Sequence, residues 1–569
     1  MQEPEGSSAA SGKMGEEAAH PAECEAAARR KRTARQPGRP LSSTSKDRCS
    51  GDPVTTLRRE VRQGAHGQHG EEQAPSSWQA RARGTGAEAE GSKGVGGPCS
   101  SNEGGEGGGA PTHRSEGGPC GYELQEGTMS GALTLESMSP GLLKVTERAR
   151  REPGGRFHSL AHLMDEAALE RAYHRLRKGA AVGVDGITKE QYGEDLPANM
   201  RKLHECMKAG KYRHQPIRRV HIPKEKGKTR PIGISSIEDK IVQGALREVL
   251  EAIYEQDFLD CSYGFRPGRS AHGAVRALTR AVDRGEGNWV LEADIRSFFD
   301  SLDRQKLKEM LQERIADGQI MRLIGKCLRA GVLDGEAYIQ PEEGTAQGSI
   351  ISPLLGNIYL HYTLDLWFVR EVKPRLNGKA TLVRYADDFV IAFESEEDAV
   401  RVMEVLPKRL KKYGLELSEE KTRLIRFERP PKEQRMGKGP GTFDFLGFTW
   451  YWHRARKGGW TFACKTRRAR LRRAILAVYS WCRSHRHEKV PEQHAALVRR
   501  IRGHMNYFGV SGNVRALTTL VHHSERAWFK WLLRRSQKTR LTWERFKELL
   551  KAYPLPRPRV CVNIWGTVP

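Results

Sequence analysis

Three aspartates stand where their carboxylates could act together. Asp387 and Asp388 are adjacent between two apolar, β-rich runs, and Asp294 ends a third such run. Neighbouring negative charges repel unless a cation lies between them, and carboxylate oxygens suit Mg²⁺. Two such ions about 3.5–4 Å apart can activate a 3′-hydroxyl and stabilise a leaving pyrophosphate. If the three runs are neighbouring strands, the pattern predicts nucleotidyl transfer; the alternative is that these are ordinary surface acids.

The elements expected around these residues fit that arrangement. Residues 289–294 are predicted to form a short strand, with a helix from about Asp303. Residues 381–385 and 389–393 are predicted to form a tight β-hairpin whose turn holds the paired aspartates. Elsewhere the pattern predicts helices in 135–215, 236–258 and 467–552, and strands at 218–223 and 230–234.

Charge is distributed unevenly along the chain. The net charge is +26 over 569 residues, and residues 465–569 hold 24 Lys plus Arg against five Asp plus Glu, interleaved with aromatics. A polyanion-binding domain is expected there, with a solvated basic surface as the alternative. Residues 1–120 carry 16 basic and 16 acidic side chains, 21 glycines and few large apolar residues, which predicts disorder.

Cysteine spacing and hydropathy exclude several classes. No two of the ten cysteines lie within four residues of each other, which disfavours a zinc finger or a disulfide framework. The mean hydropathy is −0.65, and no apolar run approaches the roughly 20 residues that cross a bilayer, so no membrane partner is expected. A reducing, cytoplasmic setting is predicted, because no signal segment opens the chain.

Six ordered motifs carry a family resemblance. Tyr385-Ala386-Asp387-Asp388 resembles the Tyr-x-Asp-Asp box of reverse transcriptases, and residues 294–298 resemble their first carboxylate motif. The similarity extends to residues 263–270 (YGFRPGRS), 344–355 (GTAQGSIISPLL), 420–422 (EKT) and 443–448 (FDFLGF). Together these motifs are similar to group II intron-encoded reverse transcriptase/maturases over about residues 155–556. Ala346 and Ser349 replace the Pro and Gly of many relatives, but both are small.

The resemblance implies a fold and a domain order. The fold is α+β, with right-hand polymerase fingers and palm, an antiparallel palm sheet and then an all-α thumb/maturase domain. The implied parts are a disordered tail (1–134), an N-terminal helical extension of the fingers (135–215), fingers and palm (216–450), the thumb/maturase domain (451–556) and a C-terminal tail (557–569). The start of translation stays open between Met1, Met129 and Met138.

The resemblance also assigns catalytic roles. In the family the palm sheet carries the metal site, which corresponds here to Asp294, Asp387 and Asp388 with two Mg²⁺ ions and no zinc. The backbone carbonyl of Ile295 would complete the shell of the second ion. Lys421 corresponds to a lysine near the leaving pyrophosphate, where its ammonium could act as an acid.

Five further residues are implied to bind the incoming nucleotide. Lys224 and Arg230 could clamp its triphosphate, although either could be an ordinary solvated charge. Gln347 matches a residue that contacts the nucleotide, and Gly348 lets the backbone approach it closely. Phe298 matches the bulky position that excludes a ribose 2′-hydroxyl, with a core aromatic as an equal alternative.

The basic C-terminal part resembles the region that grips intron RNA and the template-primer duplex. The candidate RNA-binding residues are Arg502, Asn506, Tyr507, Arg534 and Arg535. For Tyr507, packing in a helical core is favoured over base stacking.

Taken together, the resemblance implies an RNA-directed DNA polymerase that also binds its group II intron RNA for splicing and mobility. The expected partners are that RNA, an RNA template with a DNA primer, target DNA and dNTPs, with the protein a monomer or homodimer in a nucleoid-associated bacterial ribonucleoprotein. Only Cys561 follows the helices, so no zinc-dependent endonuclease is expected, and insertion would use a target or replication-fork primer. The alternatives are a splicing-only maturase and a related bacterial reverse transcriptase recruited to defence or diversity generation.

Overall fold

The computed structural model describes residues 138–223, 229–432, 440–455, 458–538 and 540–565. Its first part is helical, as predicted, with helices α1 (Pro140–Arg151), α2 (Glu166–Arg175), α3 (Lys189–Tyr192) and α4 (Leu196–Lys208). Each begins after a Ser, Asp or Thr whose side chain accepts a hydrogen bond from a backbone N–H of the first turn. The predicted disordered tail, residues 1–134, lies outside the described residues.

A small mixed sheet follows the helical part. Strands β1 (Ile217–Pro223) and β2 (Thr229–Ile234) form an antiparallel pair, as the sequence predicted. The chain then forms α5 (Ile237–Asp257), α6 (Ala271–Asp283), β3 (Trp289–Asp294), α7 (Arg304–Gln312), α8 (Gly318–Leu328), β4 (Val332–Asp334) and β5 (Ala337–Ile339). Strand β4 runs parallel to β1 and antiparallel to β5, which gives the order β2-β1-β4-β5.

The central sheet is antiparallel and includes the predicted hairpin. Helix α9 (Ser352–Leu360) continues into two π-helical segments, His361–Asp365 and Trp367–Val372. After them come β6 (Ala380–Tyr385), β7 (Asp388–Phe393), α10 (Glu396–Lys412) and β8 (Arg423–Arg426). The strand order is β6-β7-β3-β8, so the strand that carries Asp294 lies beside the hairpin.

Both faces of the central sheet are covered. Successive residues of a strand point to opposite faces, and here both sets are buried. Leu291 and Phe389 belong to one core, which also includes residues of α5 and α10. Val290 and Val390 belong to a second core, which includes residues of α6 and of the C-terminal strands and helices. Packing on both faces therefore holds the strand ends at which the aspartates lie.

The C-terminal part begins with strands and ends with helices. Strands β9 (Phe443–Phe445), β10 (Phe448–Arg454) and β11 (Trp460–Thr466) form an antiparallel sheet. Helices α11 (Arg468–Ser484), α12 (Val490–Phe508), α13 (Val514–Leu533) and α14 (Trp543–Ala552) follow, which confirms the helical prediction beyond Thr466. Across the described ranges, no helix is both long enough and apolar enough to cross a membrane.

The prediction of an all-α domain from residue 451 is wrong for its first residues. Residues 451–454 belong to β10, and residues 460–466 form β11. Their alternation has the period of a strand rather than a helix: Phe448, Trp450 and Trp452 are buried, while the residues between them are partly exposed. Trp450 stacks on Phe462 across the pair, with ring centroids 5.0 Å apart. The predicted mixture of helices and sheets is confirmed.

Candidate active site

The register of the central sheet brings the three predicted carboxylates together. Asp294 pairs with Asp388 in the β3–β7 ladder, and Tyr385 pairs with Asp388 in the β6–β7 ladder. Residues directly opposite each other in an antiparallel pair point to the same face, with Cβ atoms about 4.5–5.5 Å apart. Ala386 and Asp387 form the connecting two-residue turn, so Asp387 lies at the same end of the sheet.

Charge in this cluster is poorly compensated. Burial, followed by the negative charges of Asp387 and Asp294, raises the pKa of Asp388 to about 7. Burial also raises the pKa of Asp387; Asp294 acts in the same direction, and Arg230 and Lys421 act against it. Burial and the neighbouring carboxylates thus disfavour the charged forms of Asp387 and Asp388, and a bound cation would act in the opposite direction.

Lys421 pairs with one of the three acids. Its Nζ lies 2.6 Å from Oδ2 of Asp294. The backbone joins the two segments as well, because the N–H of Ser418 donates to the carbonyl of Asp294 at 2.8 Å. As they stand in the described part of the chain, no three His, Cys, Asp or Glu side chains are grouped so that they could hold a metal ion. The chemistry and the strand register of the three carboxylates suit a cation, but in this arrangement Asp294 is paired with Lys421 instead.

Three of the implied nucleotide-binding residues, Arg230, Gln347 and Gly348, lie on two adjacent segments. The backbone N–H of Gly233, on β2, donates to the carbonyl of Gln347 at 2.6 Å. Gly348 has φ +109°, and a Cβ there would lie 2.5 Å from the Gly233 carbonyl oxygen, so only glycine fits this close approach. Arg230 is exposed on β2, and its charge reaches Asp387. Lys224 lies outside the described residues.

Two of the residues that follow the first aspartate, Ile295 and Phe298, are buried. Ile295 is 2% exposed and makes an isolated antiparallel bridge with Leu417. Phe298 is 3% exposed and packs edge-on against Phe299, with ring centroids 5.1 Å apart. Phe298 is therefore part of the core, which is the alternative that the sequence left open, and its exclusion of a 2′-hydroxyl stays a prediction. Phe299 is the more exposed ring of the pair.

Comparison with known proteins supports the resemblance to reverse transcriptases. Residues 222–450 match the family described as "Reverse transcriptase (RNA-dependent DNA polymerase)". Protein YkfC of Escherichia coli (strain K12) is 37% identical over 257 residues, covering 40% of this chain and 67% of that protein. The group II intron-encoded protein LtrA of Lactococcus lactis subsp. cremoris is 32% identical over 319 residues, covering 46% of this chain and 53% of LtrA. A third relative, the uncharacterized 91 kDa protein in the cob intron of Schizosaccharomyces pombe, is 37% identical over 214 residues, covering 37% of this chain and 26% of that protein.

The chain belongs to the family of group II intron-encoded reverse transcriptases and maturases. It spans about half the length of LtrA. The matched region holds the central sheet and the Tyr-Ala-Asp-Asp turn, which together carry the cluster of acids described above.

In this reverse transcriptase region, a buried arginine that sequence reasoning missed lies beside the Tyr-Ala-Asp-Asp turn. The guanidinium of Arg384 donates to both carboxylate oxygens of Asp365, Nε to Oδ1 at 2.8 Å and Nη2 to Oδ2 at 2.5 Å. It also donates to the Asn357 side-chain oxygen at 2.9 Å, the Ala386 carbonyl at 3.0 Å and the Ser262 hydroxyl at 2.8 Å. The sequence did contain a signal for this arginine. Arg384 alternates with Ala380 and Leu382 along one strand face that is buried, and a charged side chain on such a face needs polar partners.

The implied RNA-binding residues of this family member fall into two groups. Arg502 and Asn506 are exposed on α12, and Arg534 is exposed just after α13, with its guanidinium 5.9 Å from the centre of the Trp531 ring. Arg535 instead donates to the backbone carbonyls of His487, at 2.9 Å, and of Glu488.

Tyr507 takes the alternative that the sequence favoured. Its hydroxyl donates to the Leu446 carbonyl at 3.0 Å, and its ring stacks on Phe448 with centroids 5.9 Å apart. The carbonyl of Tyr507 also lies 2.8 Å from Nε2 of His272 on α6. Tyr507 thus joins the C-terminal helices to the strands and to α6, which is a packing role.

Proposed function

We propose that this protein is an RNA-directed DNA polymerase that also binds its group II intron RNA and promotes its splicing and mobility. Mobility would proceed by target-primed or fork-primed reverse transcription. The observation that carries this proposal is the register that sets Asp294 opposite Asp388, beside the turn that holds Asp387. In this proposal the central sheet is the palm, β1 and β2 belong to the fingers, and α11 to α14 form the thumb and maturase domain.

The three aspartates would hold two Mg²⁺ ions, with the Ile295 carbonyl as a further ligand. Bound there, the ions would lower the pKa of a primer 3′-hydroxyl and stabilise the charge of the leaving pyrophosphate. The donor set supports this assignment, because carboxylate oxygens are the ligands that Mg²⁺ prefers. Burial raises the pKa of both Asp387 and Asp388, and neighbouring carboxylates act in the same direction, so a bound cation would favour their charged forms.

The surrounding residues would bind and orient the substrates. Arg230, together with Lys224, would bind the triphosphate of the incoming dNTP. The backbone at Gly348 would let the nucleotide lie close to Gln347. The primer 3′-hydroxyl would release its proton to water, and its oxygen would bond to the α-phosphorus as the bond from that phosphorus to pyrophosphate breaks. Lys421 would give a proton to the leaving pyrophosphate.

The basic C-terminal part would bind the RNA. Residues 465–569 contain 24 Lys plus Arg and only five Asp plus Glu. This excess of positive charge is suited to binding the phosphates of a nucleic acid. Arg502, Asn506 and Arg534 are exposed there and available for contact. We propose intron RNA, an RNA template with a DNA primer and target DNA as the partners of the chain, and its relation to intron-encoded proteins supports that choice.

Primer extension tests the polymerase assignment. The purified protein should extend a DNA primer on an RNA template with Mg²⁺ and dNTPs. Replacing Asp387→Ala and Asp388→Ala together should reduce extension to background while RNA binding persists. The matched control is Glu396→Ala with Glu397→Ala, an exposed adjacent acidic pair in the first turn of α10. Extension by the double aspartate variant at the control's rate would refute the metal assignment.

Splicing measured on the same preparations separates the two proposed activities. Wild-type protein should both extend primers and promote splicing of its intron RNA. The double aspartate variant should retain splicing, because the basic surface that would bind the RNA lies on other residues. Splicing by a wild-type protein that extends no primer would instead assign it to the splicing-only maturases.

A further inference from the structure

Arg384 and Asp365 form an ion pair that fold stability alone does not explain. Both side chains are 0% exposed. Moving two such charges out of water is costly, and apolar residues of similar size often stabilise a fold as well or better. The other contacts of the guanidinium therefore point to a role beyond holding the chain together.

One contact of Arg384 leads directly to the acidic turn. Its Nη1 donates to the carbonyl of Ala386 at 3.0 Å. That carbonyl belongs to the peptide group between Ala386 and Asp387, so its direction sets how the Asp387 backbone, and hence its side chain, is presented. Ala386 has φ +57°, a left-handed conformation that L-residues with a β-carbon rarely adopt. The turn therefore needs an outside contact to keep this shape.

Three separate parts of the chain fix the guanidinium in place. Asp365 lies in the π-helical segment that follows α9, Asn357 lies in α9, and Ser262 precedes the glycine-containing loop at Gly264. Asn357 holds that loop as well, because its Nδ2 donates to the Gly264 carbonyl at 2.7 Å. The planar guanidinium of an arginine, with its N–H donors in fixed directions, can donate to all these acceptors at once, whereas the ammonium of a lysine cannot.

We infer that Arg384 is a positioning residue for the acidic turn: it holds the Ala386 carbonyl so that Asp387 and Asp388 present their carboxylates toward Asp294. The inference rests on the proposed function, because this orientation matters for the reaction only if the turn holds metal ions. Arg384 itself touches neither substrate nor metal. Its replacement should therefore weaken metal binding and turnover, while the KM for dNTP changes little.

The test compares Arg384→Lys with a matched variant of the full chain. Arg314 is also a buried arginine; its Nε donates to Asp257 at 2.9 Å, and its other nitrogens donate to backbone carbonyls near Gly155. Arg314→Lys thus removes another buried guanidinium that is held by an aspartate and by backbone carbonyls, away from the acidic turn. Binding of Mn²⁺ to the protein alone is followed by the loss of the free-ion EPR signal, and primer extension is measured against Mg²⁺ and dNTP concentration.

We expect Arg384→Lys to bind Mn²⁺ about 10- to 100-fold more weakly and to lose kcat by a similar factor, as happens when the groups that orient metal ligands are changed. The KM for dNTP should stay within about threefold of the wild-type value, because Gln347 and Gly348 lie on another segment. Arg314→Lys, compared at equal folded fraction, should keep wild-type Mn²⁺ affinity and kcat. Equal Mn²⁺ affinity in the two lysine variants would overturn the inference.

A second variant covers the case in which Arg384→Lys does not fold. Asn357→Ala removes one acceptor of the guanidinium and the bond to Gly264, and it should also weaken Mn²⁺ binding; wild-type affinity in this variant would overturn the inference. Failure of the proposed function gives a different result. In that case the wild-type protein extends no primer, and its Mn²⁺ binding equals that of the variant lacking Asp387 and Asp388, which removes the basis of both proposals.

Discussion

A Cβ atom built on Gly264 would lie 2.4 Å from the backbone nitrogen of Ala386. The glycine-containing loop and the acidic turn therefore meet backbone to backbone, with no room for a side chain between them. The same loop is tied to β6, the strand that leads into the turn, since the N–H of Tyr263 donates to the carbonyl of Arg384 at 2.9 Å. Two motifs more than a hundred residues apart in sequence thus form one rigid support under the Tyr-Ala-Asp-Asp turn.

Replacing Gly264→Ala should therefore damage catalysis more than folding. The new methyl group must push the turn away, and an error of about 1 Å in catalytic geometry can cost about 100-fold in rate. We expect kcat for primer extension to fall by about that factor, measured at saturating Mg²⁺ and dNTP.

Gly268→Ala is the matched control for Gly264→Ala, because it changes the same loop without touching the turn. Gly268 has φ +69° and nothing within 4 Å of its added Cβ. Alanine there should lower the free energy of unfolding by roughly 1–2 kcal/mol through backbone strain and leave the rate per folded molecule unchanged. A Gly268→Ala variant as slow as Gly264→Ala would mean that loop strain, rather than the turn, sets the rate.

The pair of Lys421 and Asp294 leads to a second prediction. Their side chains are 57% and 28% exposed, and exposed ion pairs add only about 0–1 kcal/mol to stability. Lys421→Met should therefore leave the urea midpoint almost unchanged. Because Lys421 is proposed as the acid for the leaving pyrophosphate, primer extension should fall by about 100-fold or more.

Arg423→Met provides the comparison for Lys421→Met. Arg423 pairs with Glu292 at 2.7 Å and is 51% exposed, only two residues along the same segment. This variant also loses an ion pair of the same segment, although its acid, Glu292, is only 15% exposed, and its extension rate should stay close to that of the wild-type protein. Equal rates for Lys421→Met and Arg423→Met would remove Lys421 from the reaction.

A third prediction concerns acid stability and His361. Burial lowers the pKa of His361 to about 4, against about 6.5 for a histidine in the unfolded chain. Above pH 6.5 the side chain is neutral in both states and contributes no pH dependence. As the pH falls from 6.5 to 4, the unfolded chain gains a proton that the folded chain excludes. The free energy of unfolding should therefore decrease, by at most about 3 kcal/mol from this residue.

His361→Gln should remove that part of the pH dependence. Urea unfolding of both proteins at several pH values between 7 and 4 gives the free-energy difference between them, in which the other titrating groups cancel. The difference should move in favour of the variant as the pH falls. A difference that stays constant over this range would show that His361 takes up its proton equally well in the folded protein.

The sequence predicted the strands that carry the three aspartates well because their signals are local. A short β-rich run ending at Asp294 and a hairpin around Asp387 and Asp388 follow from period-two patterning and turn chemistry. The structure places these strands side by side in register. The family resemblance supplied what local pattern cannot, namely that strands so far apart in the chain are neighbours.

The rest depended on tertiary contacts that no local pattern encodes. The strands after residue 451 were missed because the prediction assigned an aromatic-rich hairpin to the helical domain that follows it. Arg384 was missed because its partners lie at Ser262, Asn357 and Asp365, in three other segments. Phe298 and Tyr507 could be weighed only as alternatives, since burial decides between them and depends on the whole fold.

Arg534 and Arg535 should have different roles although they are adjacent and carry the same charge. Arg534 is exposed and lies 5.9 Å from the Trp531 ring centre, so its charge is available to a phosphate. Arg535 is partly buried and donates to the carbonyls of His487 and Glu488, which closes the loop between α11 and α12. Arg534→Ala should weaken RNA binding and reduce the slope of log affinity against log salt by about 0.7–0.9, the value of one phosphate contact.

Arg535→Ala should instead lower stability by about 1–3 kcal/mol, because it removes charge-assisted hydrogen bonds that satisfy loop carbonyls. Its salt slope should stay near that of the wild-type protein. Filter binding of an intron RNA at a series of KCl concentrations gives both slopes, and urea unfolding gives both stabilities. If Arg535→Ala lost the salt slope while Arg534→Ala kept it, then the loop would have to open in the complex and release Arg535 to the RNA.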